Sequence, residues 1–230
     1  MRTRVKICGC RGAEDAALAV EAGADAVGAI LAAGTPRRVD LAQLHAIAAA
    51  IPALVSLVAV FVDPPAALVA EALACGARPQ FHGDEPADVC EASAAGPYLK
   101  AFHVRPGAAP AAEEFARFAA PYARATWLFD TARPDGRSGG SGRTFDWSLA
   151  RRLAGARPIV VSGGLTPENV GACVRAVRPY AVDVAGGVET NGRKDPLKVR
   201  AFVAAVRAAD AELTHHHDGA DQLAPRSQEP

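Results

Sequence analysis

Two side chains in this sequence could exchange protons with a ligand: Cys8, which ends the first β-like run, and Asp130, which ends a later one. Lys6 lies two residues before Cys8, and a nearby cation favours the thiolate, which can act as a base or a nucleophile. Asp130 follows the apolar stretch Trp127-Leu128-Phe129, and burial there would keep its carboxyl protonated as a general acid. The two residues are therefore one candidate base and one candidate acid.

Both residues also have structural interpretations. A free cysteine is most often a small buried hydrophobe, and an aspartate at a strand end can cap a helix or brace a loop. Cys8 and Cys10 could instead form a redox or metal pair. One intervening residue would strain a disulfide, and no second Cys-x-Cys completes a four-ligand set, so we predict no metal.

Two glycine pairs indicate where a phosphate would bind. Gly163-Gly164 and Gly186-Gly187 each follow a β-like run near the end of the chain. Glycine lets backbone NH groups close around phosphoryl oxygens, and many barrels bind phosphate in the loops after strands 7 and 8. Either pair alone could simply make a tight turn. Two pairs after adjacent predicted strands favour a phosphorylated ligand.

The elements that must position these residues alternate along the chain. We predict strands at residues 4–8, 26–31, 55–62, 79–82, 98–104, 126–130, 158–162 and 180–184. Helices are predicted at residues 13–21, 41–50, 65–75, 86–94, 111–119, 147–153, 167–177 and 196–208. Thr166-Pro167-Glu168 and Asp195-Pro196 resemble N-terminal signals of the last two helices.

Eight strand-helix units in about 210 residues predict an α/β protein folded as a single (β/α)8 TIM barrel over residues 1–210. An open doubly wound sheet is the alternative, and the absence of a G-x-G-x-x-G turn after the first strand disfavours it. Residues 211–230 are predicted to be a polar, disordered tail without a catalytic role, although they contain three consecutive histidines. His45, His82 and His103 are isolated in the sequence and indicate no zinc site.

Composition limits the partners. The chain has 25 basic and 25 acidic residues among 230, so it lacks the positive excess that supports nucleic-acid binding. Its apolar run at residues 51–62 falls short of the roughly 20 residues needed to cross a bilayer. The N-terminus lacks a secretory signal, and five scattered cysteines suit a reducing compartment. We expect a cytoplasmic protein with a small phosphorylated ligand, and neither nucleic acid nor membrane as a partner.

Together these segments resemble the phosphoribosylanthranilate isomerase family, whose members are barrel enzymes of tryptophan biosynthesis. The resemblance runs in order through nearly all of the chain except the tail. It is carried by Lys6-Ile7-Cys8-Gly9, Pro36-Arg37-Arg38-Val39, Phe61-Val62-Asp63, Phe129-Asp130-Thr131, Lys194-Asp195 and residues 23–28, 80–85, 139–147, 162–170 and 183–190.

The resemblance implies an Amadori rearrangement that needs no cofactor. N-(5-phosphoribosyl)anthranilate would become 1-(2-carboxyphenylamino)-1-deoxyribulose 5-phosphate. In the family pattern, the aspartate matching Asp130 protonates the furanose ring oxygen, and the cysteine matching Cys8 removes the C2 proton. Arg37 matches an arginine that holds the anthranilate carboxylate, and Asp183 matches an aspartate that contacts the ribose hydroxyls or braces the rim.

The chain also departs from the family pattern. Ala185-Gly186 stands where two serines are usual, Phe81 precedes His82 in strand 4, and strand 2 lacks the usual aromatic residues. Two alternatives therefore stay open. One is a specialised paralogue that rearranges a different N-phosphoribosyl aryl amine, and the other is a non-catalytic barrel that binds a phosphorylated ligand.

Overall fold

Strands and helices alternate along the chain in the computed structural model, which describes residues 2–105, 107, 111–132 and 144–221, with side chains as far as Thr214. The eight main strands are β1 (Arg4–Cys8), β2 (Ala26–Ile30), β3 (Ser56–Phe61), β4 (Arg78–Phe81), β5 (Tyr98–Val104), β6 (Ala125–Thr131), β7 (Ile159–Val161) and β8 (Ala181–Val184). The helices are α1 (Ala13–Glu21), α2 (Leu41–Ala50), α3 (Ala66–Ala74), α4 (Ala87–Ser93), α5 (Ala112–Ala119), α6 (Ser148–Ala154), α7 (Val170–Val177) and α8 (Pro196–Asp221). After β8 come a short 3-10 helix (Gly186–Val188) and a hairpin of β9 (Glu189–Thr190) and β10 (Arg193–Lys194).

The eight strands form a closed parallel barrel in sequence order. β1 pairs with β2 on one side and with β8 on the other, with Lys6 opposite Asp183 in the second pairing. This β1–β8 pairing excludes the open sheet and confirms the predicted single (β/α)8 barrel.

Side-chain alternation separates two cores. Val5 and Ile7 of β1 belong to the large core between strands and helices. Cys8 instead packs with Val58 and Val60 in a smaller cluster. Because successive strand residues point to opposite faces, Lys6 shares the inner face with Cys8. The barrel interior thus receives every second residue of each strand, and the last inward residue lies at the rim.

Helix ends follow local hydrogen bonding. The Asp40 carboxylate accepts from the Gln43 NH while the Gln43 side chain accepts from the Asp40 NH, a capping box that starts α2. Asp195 Oδ1 accepts from the NH groups of Leu197 and Lys198 and so caps α8 as predicted. In contrast, α7 begins at Val170 rather than residue 167.

The loop before α7 explains that difference. The Asn169 side chain accepts a hydrogen bond from the Thr166 NH at 2.8 Å and donates one to the Gly164 carbonyl at 2.9 Å. These bonds hold residues 166–169 in a turn that continues the loop from β7. The predicted N-terminal signal therefore belongs to the loop, and the helix starts one turn later.

The last helix is longer than predicted. α8 continues to Asp221, so residues 211–221 of the predicted disordered tail are helical, and residues 222–230 lie outside the described residues. Leu213 packs against the main core, and Thr214 Oγ1 donates to the Asp210 carbonyl at 3.0 Å, which explains why the helix passes residue 210. No helix of the described chain has the length and apolar character to cross a membrane.

Candidate active site

One cavity of about 790 Å³ opens at the C-terminal ends of the strands, within the size range of small-molecule sites. It is lined by all eight residues that the sequence analysis selects: Cys8, Arg37, Asp130, Gly163, Gly164, Asp183, Gly186 and Gly187. The barrel brings them together because the rim collects the ends of strands that are distant in sequence. Their individual roles stay predictions.

Cys8 lies beside a buried ion pair. Lys6 Nζ donates to Asp183 Oδ1 at 2.9 Å, and both side chains are buried. A Cβ placed on Gly28 would lie 2.8 Å from Cys8 Sγ and 3.1 Å from Lys6 Nζ, so the thiol and the ammonium share the space above this glycine. Burial alone would lower the pKa of Lys6, but Asp183 and Cys8 raise it above its ordinary value. Lys6 is therefore a buried cation beside two residues that line the cavity, Cys8 and Asp183.

The pKa of Cys8 corrects one expectation. Burial raises it above the ordinary value of a thiol, while the Lys6 ammonium lowers it only in part and the Asp183 carboxylate adds to the increase. The sequence predicts the reverse balance, with Lys6 favouring the thiolate. Because Lys6 is paired with Asp183, its charge is partly cancelled, and the unliganded site holds Cys8 as a neutral thiol at neutral pH.

Asp130 also differs from its expected state. Its Oδ2 lies 3.1 Å from His82 Nε2, and its Oδ1 accepts from the Thr131 NH at 2.8 Å. Burial alone would raise the pKa of Asp130, but His82, His103 and the Thr131 NH together lower it below its ordinary value. The predicted protonated carboxyl is thus wrong for the unliganded site, because hydrogen bonds to the carboxylate outweigh its desolvation.

The imidazole of His82, beside Asp130, belongs to a row of side-chain contacts that was not predicted from the sequence. Gln80 Nε2 lies 3.1 Å from His82 Nδ1, on the side of the ring opposite Asp130. His103 packs edge-on against His82, and its Nε2 lies 3.0 Å from the His82 carbonyl oxygen. Nitrogen and oxygen atoms of the His82, His103 and Asp130 side chains all lie within 4.8 Å of one another. The available signal was the two-residue spacing of Gln80 and His82, which places Gln80 on the inner face of β4 and His82 on the same side directly after its end.

Arg37 is held at the opposite part of the rim. Its Nε and Nη2 donate to the two carboxylate oxygens of Glu189 at 2.8 and 2.7 Å, and Lys194 Nζ donates to Glu189 at 3.0 Å. Burial alone would raise the pKa of Glu189, but the two cations lower it. A Cβ on Gly9 would lie 2.7 Å from Arg37 Cδ, so this glycine, with φ +75°, makes room for the arginine. Glu189 lies within a motif that carries the resemblance, yet sequence reasoning gave it no role.

The glycine pairs have a steric reason of their own. Gly163 and Gly164 have φ values of +80° and +69°, which favour glycine. A Cβ on Gly163 would collide with the Thr131 NH, and one on Gly187 would collide with the Leu165 carbonyl oxygen. Close backbone approach thus explains Gly163 and Gly187 without a ligand, and phosphate binding stays a prediction. The glycine- and arginine-rich sequence of residues 131–144 suits either a lid over an anion or a solvated loop, and residues 133–143 lie outside the described residues.

Comparison with known proteins identifies close similarities. The family model of N-(5'phosphoribosyl)anthranilate (PRA) isomerase matches residues 5–205. The N-(5'-phosphoribosyl)anthranilate isomerase of Pseudomonas aeruginosa (strain LESB58) is 45% identical over 216 residues, covering 92% of this chain and 98% of its own. The protein of the same name from Neisseria meningitidis serogroup C (strain FAM18) is 46% identical over 210 residues, covering 88% and 96%.

Solved structures agree with these relatives. The crystal structure of phosphoribosyl anthranilate isomerase from Thermotoga maritima superposes with a TM-score of 0.79 at 36% identity, covering 90% of this chain and 99% of that one. A structure of the isomerase in complex with reduced 1-(o-carboxyphenylamino)-1-deoxyribulose 5-phosphate gives a TM-score of 0.75 at 33% identity, with the same coverage.

The closed barrel, the carboxylate and the thiol that line its cavity, and these similarities define a (β/α)8-barrel isomerase. The similarity extends over nearly the whole length of each relative. The chain belongs to the N-(5'-phosphoribosyl)anthranilate isomerase family.

Proposed function

We propose that this protein catalyses the Amadori rearrangement of N-(5'-phosphoribosyl)anthranilate to 1-(2-carboxyphenylamino)-1-deoxyribulose 5-phosphate in tryptophan biosynthesis. The observation that carries the proposal is the placement of a thiol and a carboxyl, Cys8 and Asp130, on one cavity in a chain that matches this family along residues 5–205. General acid and base catalysis suffices for the chemistry. The reaction needs no cofactor.

Asp130 is the general acid of the first step. It passes a proton to the furanose ring oxygen while the bond between that oxygen and C1 breaks and leaves its electron pair on oxygen. The lone pair of the anthranilate nitrogen then forms a C=N bond, and the product of the step is a protonated Schiff base. Asp130 is only 3% exposed, which excludes competing water from this transfer.

Cys8 is the general base of the second step. It removes the C2 proton, the C–H electrons form the enolamine double bond, and the positive Schiff-base nitrogen is neutralised. Because burial holds Cys8 as a thiol, it must first release its own proton to solvent after the substrate binds. The Schiff-base cation and the Lys6 ammonium both favour that thiolate, since an opposite charge stabilises the ionised form. The enolamine then tautomerises to the ketone.

The remaining rim residues bind the substrate in this proposal. Arg37 holds the anthranilate carboxylate, for which a planar guanidinium with several NH donors is suited. Asp183 contacts the ribose hydroxyls while it is oriented by Lys6 and by Ser162, whose Oγ lies 3.3 Å from Asp183 Oδ2. The phosphate lies at the backbone NH groups of Gly163-Gly164 and Gly186-Gly187.

The partner and compartment follow as parts of the same proposal. The equal numbers of basic and acidic residues, 25 each, support a small sugar phosphate rather than a nucleic acid as the ligand. All five cysteines are free thiols, the state that the reducing cytoplasm maintains. We therefore assign the reaction to the cytoplasm.

Genetic complementation and a direct assay test the proposal together. The full chain should restore growth without tryptophan to a strain that lacks this isomerase, and the purified protein should consume N-(5'-phosphoribosyl)anthranilate. Turnover of another N-phosphoribosyl aryl amine alone would support the specialised paralogue. Binding of inorganic phosphate or product analogue without any turnover would support the non-catalytic barrel, and both results contradict the proposal.

A further inference from the structure

Asp130 does not hold by itself the proton that it must donate. Its carboxylate accepts hydrogen bonds from His82 and from the Thr131 NH, and these contacts favour the ionised form. The unliganded site therefore presents a carboxylate where the reaction needs an acid. A second group must hold the proton close to Asp130.

His82 is the group placed to do so. Its Nε2 lies 3.1 Å from Asp130 Oδ2, and the two side chains are 10% and 4% exposed. An imidazolium beside a carboxylate contains the same proton as a neutral imidazole beside a carboxylic acid, so the pair can supply an acid while Asp130 is formally ionised. Histidine is the side chain whose charge changes most readily near neutral pH.

Gln80 provides a partner for His82 in either protonation state. Its amide is buried, its Nε2 lies 3.1 Å from His82 Nδ1, and its Oε1 has no hydrogen-bond partner in the part of the chain that the structure describes. With the NH2 group toward Nδ1, the ring is neutral and carries its proton on Nε2, facing Asp130. If the Gln80 amide rotates by 180°, its Oε1 can accept a hydrogen bond from Nδ1–H of a protonated His82 ring.

We propose that His82 is a positioning residue that holds the transferable proton for Asp130, and that Gln80 serves both charge states of its ring. This inference rests on the proposed function. In each turnover the pair begins as imidazolium and carboxylate and ends as neutral imidazole and carboxylate. The proton passes through Asp130 to the ring oxygen as the C1–O bond breaks, and the pair regains a proton from solvent.

Among the residues that the structure describes, few other charged groups face this ring. From β5, His103 packs edge-on against His82 with ring centroids 5.0 Å apart. Lys100, also from β5, is paired with Glu85 at 2.7 Å and bonds the Gly83 carbonyl at 2.6 Å. From β6 the facing group is Asp130, and β3 carries no titratable side chain. The charge state of the pair therefore depends mainly on Gln80, Asp130 and His103.

Two substitutions should move the pH dependence of kcat in opposite directions. His82→Gln keeps an NH2 donor for Asp130 but cannot hold a transferable proton, so kcat at neutral pH should fall at least about 10-fold while KM stays within about twofold. The midpoint of the pH dependence of kcat that reports on the His82–Asp130 pair should move to lower pH. Gln80→Glu places a negative charge beside Nδ1, favours the imidazolium and should move that midpoint to higher pH.

His45→Gln is the matched control. His45 is an exposed residue of α2 that contacts Cys75, so the same chemical change there should leave kcat and the midpoint as in the wild type. Near-wild-type kcat in His82→Gln, or an unmoved midpoint in Gln80→Glu, would overturn the proposal, because a purely structural bond moves neither midpoint.

A direct titration separates this inference from the proposed function. In the free protein, the 15N signals of the His82 ring should titrate at higher pH in Gln80→Glu than in the wild type, whichever substrate the enzyme takes. An identical titration in both proteins would reject the role of Gln80 and His82. If the signals move but the wild type shows no turnover of N-(5'-phosphoribosyl)anthranilate, the proposed function fails while the proton-holding pair stands.

Discussion

The Arg37 guanidinium and the Glu189 carboxylate form a two-point ion pair across the rim, from the segment after β2 to β9, with N–O distances of 2.8 and 2.7 Å. Lys194 bonds the same carboxylate at 3.0 Å, so Glu189 fixes two cations. The pair orients the guanidinium before any ligand arrives. A ligand carboxylate would then share Arg37 with Glu189.

The first prediction concerns this arginine. Arg37→Ala should weaken binding of anthranilate-bearing ligands about 10- to 100-fold, the range for a charge-assisted hydrogen bond of about 1.5 to 3 kcal/mol. The affinity for inorganic phosphate should barely change. Calorimetry with the two ligands measures both effects, and Arg38→Ala, an exposed neighbour, is the control. Equal losses for both ligands would show that Arg37 serves the phosphate or the fold.

Asp130→Asn tests the acid. The amide keeps the shape of the side chain but has no acidic proton, so kcat should fall roughly 100-fold or more while a product analogue still binds. Steady-state kinetics and calorimetry separate the two quantities. Asp84→Asn, at an exposed position just after β4, should leave both nearly unchanged. An Asp130→Asn enzyme with near-wild-type turnover would exclude Asp130 as the acid.

Thiol labelling tests the raised pKa of Cys8. Cys8 is 5% exposed and neutral in the free protein, so iodoacetamide should modify it more slowly at pH 7 than it modifies the more exposed Cys75. Its rate should increase only at pH values above the ordinary pKa range of a thiol, because the thiolate fraction then grows. Site-resolved mass spectrometry gives the rates. Rapid labelling of Cys8 at neutral pH would mean that Lys6 outweighs burial.

Gly187→Ala tests the contact between the two glycine loops. The added Cβ would collide with the Leu165 backbone carbonyl, which cannot move as a flexible side chain would. We expect a loss of stability of about 1 to 3 kcal/mol, together with weaker binding of inorganic phosphate. In the control Gly171→Ala, the nearest atom lies 3.5 Å from the new Cβ within α7, and stability should be kept or slightly improved. Equal thermal unfolding of both variants contradicts the steric argument.

Buried thiols should make the protein sensitive to alkali. Burial raises the pKa of Cys173 to about 12, whereas a thiol in the unfolded chain ionises near 8.5. The unfolded state therefore releases this proton first, and the stability that the neutral thiol contributes is complete below about pH 8.5 and is lost as pH rises toward 12. Cys173→Ala should reduce the slope of unfolding free energy against pH above 9, although the variant is less stable at pH 7. Burial and Glu71 raise the pKa of Cys75 as well, but the shift is smaller, so Cys75→Ala should reduce the slope less than Cys173→Ala does.

The sequence was a good guide to the barrel because each element is specified locally. Apolar runs and alanine-rich segments place all eight strands and six of the helices to within one residue at each end. The start of α7 and the end of α8 differ more from the prediction, and each has a local cause that hydrophobic periodicity does not reveal. Asn169 holds a turn ahead of α7, and Leu213 extends α8 by packing on the core.

The site was predictable in position but not in electrostatics. Strand ends identified the residues that line the cavity, whereas their partners depend on register between distant segments. Lys6 and Asp183 are 177 positions apart, Arg37 and Glu189 are 152 apart, and His82 and Asp130 are 48 apart. These contacts set the ionisation of Cys8 and Asp130. The sequence alone therefore predicted the wrong protonation state for both side chains.

The pairing of β1 with β8 also affects how the protein folds during its synthesis. β1, which carries Cys8, leaves the ribosome well before β8, which carries Asp183, and the barrel closes only when β8 docks on β1. A nascent chain must therefore keep β1 available for pairing until β8 has been synthesised. During refolding, the recovery of turnover would measure the rate at which β8 pairs with β1. Circular dichroism would report the helices and strands that form before this step.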